Sequence, residues 1–217
     1  MTVELLGHLG DDLAIVNAAR VSYGRESREL TERDAGLIRF LARERHGTPF
    51  EHVVFTFRVT TSIAVAREWF RHRMGSFNEI STRYVEMNDE FYLPPPENVR
   101  RQVGKPGAYH FEPVAEDEAR AAIEAMRSAY EHAYQAYKEL LDSGVAKELA
   151  RNVLPLGMLT QFIWTVNFRS VTNFLSLRTA SNALLEIRQE AQQVEELVEK
   201  VLPHAYAAWV EGGRASL

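Results

Sequence analysis

Apolar residues recur along this chain at two periods, and the switches between them mark its elements. Residues 2–6 (TVELL) read as a short strand, and a helix follows from Asp11 to about Val21. A second helix starts at Thr31, where Thr-x-x-Asp (Thr31 to Asp34) resembles a capping box and Leu37, Ile38 and Leu41 recur at helical spacing. Thr48-Pro49 stops it. His52 to Thr60 (HVVFTFRVT) is rich in β-branched and aromatic residues and predicts a strand, after which Ser62 caps a helix running to about His72. Met74-Gly75 breaks that helix. The stretch 75–113 carries Gly75, Pro94 to Pro96, Gly104, Pro106 and Gly107, which predicts loop, with a short strand near Phe91 to Leu93.

From Glu116 to Leu141, Ala119, Ile123, Met126, Tyr130, Ala133, Tyr137 and Leu140 form the stripe of one long helix, ended near Gly144. A short helix over 146–152 precedes Pro155. Thr160 to Phe168 (TQFIWTVNF) fits a strand or an apolar helical segment, and periodicity does not separate the two at this length. Helices over roughly 169–179, 183–200 and 204–210 close the chain. No repeat, low-complexity run or linker interrupts it, so a length of 217 residues predicts a single domain over 1–217.

The composition is that of an ordinary globular protein, at 46% hydrophobic and 25% charged residues. It contains no cysteine, which excludes disulfide scaffolds, thiolate metal sites and cysteine nucleophiles. A net charge of -5 speaks against a non-specific nucleic-acid binder. The basic residues are nonetheless unusual: only Lys105, Lys138, Lys147 and Lys200 are lysines, and the remaining 21 are arginines. Arginine's planar fork suits bidentate contact with phosphate or carboxylate. The N-terminal MTVELLGHLGDDL has no basic and apolar leader pattern, and no apolar run approaches the roughly eighteen residues of a membrane span, so the expected location is cytoplasmic.

Arginines concentrate in two places. The segment from Arg67 through Arg71, His72, Arg73, Ser76, Asn78, Glu79 and Ser81 to Arg83 reads as a phosphate-plus-base pocket. Arg67 and Arg71 would share a helix face, a like-charge pair costing about 0.2–0.5 kcal/mol unless an anion such as Glu68 offsets it. The alternative is a solvated basic helix end favoured by the helix dipole. In the second, Asn167 to Arg178, the apolar stripe of Val171, Phe174 and Leu175 arrives at Arg178, where a core residue is expected. A buried arginine must be paired, either by an internal carboxylate such as Glu186 or by a ligand's phosphate or carbonyl. Arg151, before Pro155, is a lone arginine. His46, Glu51 and His52 straddle a proline turn and lack His-x3-His spacing, so no metal is expected. No glycine-rich dinucleotide loop, P-loop or nucleophile elbow is present.

The run Arg71-His72-Arg73, Ser76, Asn78-Glu79, Ser81, Arg83 resembles the Arg-His-Arg-x2-Ser-x-Asn-Glu-x-Ser-x-Arg signature of flavin-dependent thymidylate synthases. AARVSYG (18–24), HGTPFEH (46–52), VARNVLPL around 149–156 and FIWTVNFRSVTNFLSLR (162–178) are similar to the same family and stand in its order. The resemblance implies an α/β (α+β) fold with a small antiparallel-type sheet and several long helices. It also implies a homotetramer with active sites shared between subunits. FAD reduced by NADPH would support transfer of the methylene of 5,10-methylenetetrahydrofolate to dUMP, giving dTMP and tetrahydrofolate. The absence of cysteine fits, because the other thymidylate synthase family uses a cysteine nucleophile.

Carried over by motif, the FAD contacts are Thr48, Arg71, His72, Arg73, Glu79, Asn167, Phe168, Arg169 and Asn173, with Ser22 and His46 as weaker matches. The dUMP contacts are Glu68, Trp69, Phe70, Arg71, Glu79, Ile80, Ser81, Thr82, Arg83, Arg151 and Arg178, some from a neighbouring subunit. Arg178 is the catalytic expectation, a guanidinium stabilising negative charge at N3 and O2 of the uracil. Ser81 has no adjacent base in sequence and reads as a hydrogen-bonding group rather than a nucleophile. Asn182 and Leu184 stand where relatives carry histidine and glutamine. The rival readings are an RNA-binding module stacking bases on Trp69, Phe77 and Tyr84, and a plain flavin reductase.

Overall fold

The computed structural model describes all residues, Met1–Leu217. Its chain order is β1 (Thr2–Leu9), α1 (Asp12–Arg20), α2 (Glu32–Arg43), β2 (Val54–Ser62), α3 (Ile63–Trp69), β3 (Ser76–Glu79), β4 (Arg100–Val103), β5 (His110–Pro113), α4 (Glu116–Asp142), α5 (Lys147–Ala150), β6 (Leu159–Asn167), α6 (Phe168–Arg178), α7 (Leu185–Val201) and α8 (Pro203–Glu211). Four strands form one sheet in the order β1-β2-β6-β3, with β1–β2 and β3–β6 antiparallel. The mixed α/β content with an antiparallel sheet is the expected class. The chain groups into two compact units, residues 1–60, 65–79 and 161–217 in one, and 61–64 and 80–160 in the other.

In the first unit the sheet and helices enclose an aromatic core. Phe162, Trp164 and Val166 alternate inward along β6, which settles the open reading of 160–168 as a strand. Trp69 stacks on Phe174 at 4.3 Å and meets Trp164 edge-on at 5.0 Å. Each such ring removes about 150–250 Å² from water, worth about 4–6 kcal/mol at 25 cal/mol per Å². The Trp69 indole N–H donates to Glu190 Oε2 at 2.7 Å, satisfying a polar atom inside this core.

Side chains fix where the helices start. Thr31 and Asp34 make the anticipated capping box: the Thr31 backbone N–H donates to Asp34 Oδ2 at 2.9 Å and the Asp34 N–H to Thr31 Oγ1 at 3.4 Å. Asp34 is also paired with Arg20 at 2.5 Å, and the Thr31 hydroxyl bonded to its carboxyl leads the contributions holding its pKa below the ordinary range. Buried Asp12 accepts from the backbone N–H groups of His204 and Ala205, tying the start of α8 to α1. Asn167 caps α6 through a bond from the Ser170 N–H at 2.9 Å.

The second unit packs α4 and α5 around Met87, Tyr137, Ala150 and Met158. Tyr137 is fully buried, and its hydroxyl accepts from the Met87 N–H at 3.2 Å. The segment 75–113 is more structured than its turn residues suggest. β3 exists because Ser76 to Glu79 pair with Thr165 to Phe162, and Gly104, Pro106 and Gly107 form the turn of the β4–β5 hairpin. At Phe91 there is a single bridge to Met158 in place of the expected strand.

Candidate active site

Arg178 ends the apolar stripe of α6, and its guanidinium is held from three directions. Nη1 donates to Glu68 Oε2 at 2.6 Å, Nη2 to the Glu68 carbonyl at 3.1 Å, and Nε to His72 Nε2 at 2.9 Å. Its partner is therefore Glu68, not Glu186, which lies in the first turn of α7. Because arginine cannot accept, His72 must present the lone pair of Nε2 and carry its proton on Nδ1. Burial, followed by the neighbouring Arg178 charge, lowers the His72 pKa from 6.5 to about 4, whereas Glu68 opposes the shift. Arg178 thus retains one uncommitted N–H on each terminal nitrogen, positioned by bonds that use the other three.

Arg178 and His72 line a cavity of about 530 Å³ together with Arg71, Arg73, Trp164 and Asn173. α3 ends at Trp69, so Arg71 lies beyond the helix and does not share a face with Arg67. Arg71 and Arg73 are exposed and unpaired, which leaves their forks open to an anion. The Trp164 indole N–H is buried without a partner beside Gly75, where a Cβ would come within 2.9 Å of it. A buried donor left unbonded costs about 1–3 kcal/mol, and a ligand acceptor or water reaching it would recover that.

A larger cavity of about 1330 Å³ lies in the same unit and takes in Ser22, His46, Thr48 and Arg169. The turn after α1 that carries Ser22 is pinned by Asn17, which donates to the Ser27 carbonyl at 2.9 Å and accepts from its N–H at 2.7 Å. Arg169 is drawn out along the cavity wall by Glu51 at 2.5 Å and by the Leu217 carbonyl at 2.9 Å. Gly47 makes room for it, since a Cβ there would sit 2.6 Å from Arg169 Nε. Glu51 is thereby committed to an ion pair, and no three His, Asp or Glu side chains converge as a metal site requires.

Ser81 to Arg83 belong to the second unit. Arg151 Nη1 donates to Thr82 Oγ1 at 2.9 Å, Arg83 approaches Glu148 at 3.5 Å, and the Arg83 N–H donates to Ser81 Oγ at 3.4 Å. The arginine that looks solitary in sequence is part of this cluster. Among the remaining expected residues, Glu79 closes β3, exposed Ile80 follows it, and half-buried Phe70 packs on Phe77 and Phe162. Trp69 and Phe168 are wholly buried, so neither side chain can stack on a base or a ring, and only their backbone groups can serve a ligand. Sequence reasoning passed over Arg20, Arg25, Arg33 and Arg45, which line the larger cavity. The only signal was the density of arginines between residues 20 and 45.

Comparison with known proteins connects this geometry to a family. Residues 4–204 match the family model described as "Thymidylate synthase complementing protein". The flavin-dependent thymidylate synthase of Thermosipho africanus is 46% identical over 209 residues, covering 96% of this chain and 90% of that one. The enzyme of the same name from Thermus thermophilus is 46% identical, covering 96% and 75%. Among solved structures, the UMP/dUMP methylase PolB from Streptomyces cacaoi bound with 5-Br dUMP superposes with a TM-score of 0.92 at 41% identity, covering 100% of this chain and 97% of that one. The same protein bound with 5-Br UMP gives 0.92 at 40% identity, covering 100% and 96%. An arginine locked by carboxylate and imidazole, two cavities rimmed by guanidinium groups, and a match over nearly the whole length agree: the chain belongs to the flavin-dependent thymidylate synthase family of methyltransferase enzymes.

Proposed function

We propose that this enzyme converts dUMP to dTMP with 5,10-methylenetetrahydrofolate as carbon donor and NADPH-reduced FAD as electron source, releasing tetrahydrofolate. The observation that carries the reading is the Arg178 guanidinium, fixed on three sides with two N–H groups to spare. Two parallel donors match the adjacent N3 and O2 of a uracil ring. Held in a partly desolvated cavity, they would stabilise the negative charge that develops there when C5 acts as the nucleophile. Neutral His72 and anionic Glu68 keep the guanidinium aimed, so no reorganisation is required as the charge forms.

The chain's residues fit a flavin dinucleotide. Arg71, Arg73, Asn173 and the unpartnered Trp164 N–H offer donors around the smaller cavity, and Thr48, His46, Ser22 and Arg169 around the larger. His72, Asn167 and Glu79 complete the expected set, with Phe168 limited to its backbone. When bound and reduced by NADPH, FAD supplies the electrons that turn the transferred methylene into a methyl group. Arg83, Arg151, Thr82 and Ser81 offer a hydroxyl- and guanidinium-rich cluster suited to the phosphate of dUMP. Ser81 has no histidine or lysine bonded to it, which supports a hydrogen-bonding role.

The active form is proposed to be a homotetramer with sites shared between copies, working as one domain in the cytoplasm. Val21, Tyr23 and Met74 are 72%, 81% and 77% exposed on the walls of the two cavities, which supports covering of those walls by another copy. No helix is long and apolar enough to cross a membrane. The deciding experiment is the visible spectrum of purified protein before and after NADPH with dUMP, followed by product analysis. The expected result is a yellow protein, bleached by NADPH in the presence of dUMP, that makes dTMP once the folate is added. UMP is assayed in parallel because PolB is described as acting on both nucleotides. A colourless protein that takes up no FAD and makes no dTMP would overturn the reading, and flavin turnover without nucleotide consumption would favour a flavin reductase.

A further inference from the structure

The larger cavity carries more positive charge than the residues assigned to it explain. Arg20, Arg25, Arg33, Arg45 and Arg169 line it against a single carboxylate, Glu26. Two of the five are occupied: Arg20 is paired with Asp34 and Arg169 with Glu51. The side chains of Arg25, Arg33 and Arg45 make no ion pair or hydrogen bond. Three guanidinium groups of one sign around a concave wall repel one another, and an anionic ligand relieves that repulsion.

Arg45 is set apart from the other two by its backbone. The α2 helix ends in a Schellman motif, with the Arg45 N–H donating to the Ala42 carbonyl at 3.1 Å and the His46 N–H to the Leu41 carbonyl at 2.9 Å. That motif requires a left-handed residue at Arg45, whose φ is 56°. Glycine adopts this conformation without steric cost, whereas a side chain with a Cβ is strained there. Arg45 is exposed and contributes no packing to the core that offsets the strain. Folding alone would favour glycine at this position, and what the arginine adds is a charge on the cavity wall, one residue before His46.

We propose that Arg45 is an anion-binding residue of the flavin cavity, its guanidinium pairing with the diphosphate of the dinucleotide. The role rests on the flavin reading above and extends it to a residue outside the family signature. It predicts a trade-off between stability and binding: the arginine weakens the fold and strengthens cofactor retention.

The test uses the full chain freed of flavin, with Arg45→Gly and Arg45→Lys beside the parent. FAD affinity is measured by quenching of flavin fluorescence at low and moderate salt, and the melting temperature of each apoprotein is recorded. Arg45→Gly is expected to melt about 2–4 °C higher than the parent. It should bind FAD about tenfold more weakly, as loss of one charge-assisted contact implies, with a shallower salt dependence. Arg45→Lys should fall between the two in affinity and melt no higher than the parent. If Arg45→Gly binds FAD within twofold of the parent, or melts lower, the proposal fails. If the parent itself takes up no FAD, the flavin reading fails with it, and the two failures are thereby told apart.

Discussion

Replacing Arg178 by alanine removes the side chain on which the proposed chemistry rests, and its contacts indicate what should be lost and what should survive. The guanidinium makes three bonds to Glu68 and His72 and has two N–H groups left. Loss of a single preorganised donor to a developing anion lowers turnover by about 10²–10³-fold. Two donors on one residue act as a unit, so a fall of at least that size in dTMP formation is expected. The fold should survive. The Glu68 side chain is 39% exposed and can be solvated once its partner is gone, and α6 keeps its Asn167 cap and its stripe of Phe168, Val171, Phe174 and Leu175. The cost to stability is that of one partly exposed ion pair and a helix-end charge, about 1 kcal/mol, which shifts a chain of this size by about 2–4 °C. The assay pairs single-turnover conversion of labelled dUMP with flavin content read from the visible spectrum. A variant that retains flavin and loses turnover supports the role. A variant within tenfold of the parent in turnover would show that the uracil charge is stabilised elsewhere, and one that loses flavin would show that Arg178 builds the cofactor site instead.

Ser81→Ala should keep measurable turnover, because the only bond on Ser81 Oγ is a 3.4 Å contact from the Arg83 N–H and no base activates it; complete loss with dUMP still bound would restore the nucleophile reading. Gly47→Ala places a Cβ 2.6 Å from Arg169 Nε, so Arg169 must leave Glu51 or the backbone must shift, and FAD affinity measured by fluorescence should fall several-fold; unchanged affinity would remove Arg169 from the cofactor site. His72 should titrate near pH 4 by imidazole NMR, against 6.5 for the unfolded chain. Between those two values the unfolded state binds the additional proton, so stability contributed by neutral His72 is present above 6.5 and is lost as pH falls toward 4. A midpoint near 6.5 in the folded protein would show that His72 is not the acceptor of the Arg178 bond.

Much of the fold was legible because its elements announce themselves locally. The Thr31–Asp34 box, the stripe of α4 and the β-branched run of β2 each carry their own signal, and α4, β2 and the start of α2 stand within two residues of expectation, whereas α2 ends at Arg43, ahead of the Thr48-Pro49 stop, because the turn at Arg45 closes it first. What escaped was set by partners far along the chain. Ser76 to Glu79 have little strand propensity, and they become β3 only because β6 offers an edge more than 80 residues further along. The glycines and proline of 104–107 do make a turn, but that turn joins two strands whose pairing no local pattern reveals. Phe162, Trp164 and Val166 did alternate, yet a nine-residue apolar run fits a buried helix equally well until its neighbours are known.

The candidate site divides in the same way. Arg178 was conspicuous in sequence as a charge at the end of an apolar stripe, a local contradiction of the kind that marks function. Its partner was not, because Glu68 lies 110 residues away and is brought to it only when Trp69 stacks on Phe174. That stacking explains why the tryptophan two residues before the signature run is buried instead of facing a ligand: its ring registers α3 against α6, so that residues on either side of it reach Arg178. Lysine could not replace the arginine, since one ammonium cannot accept this three-sided hold and still present two parallel donors. In a chain without a thiol, the proposed route to uracil activation is electrostatic, and the hold behind it joins a carboxylate that balances the charge of the cation to an imidazole that must stay uncharged for the geometry to persist.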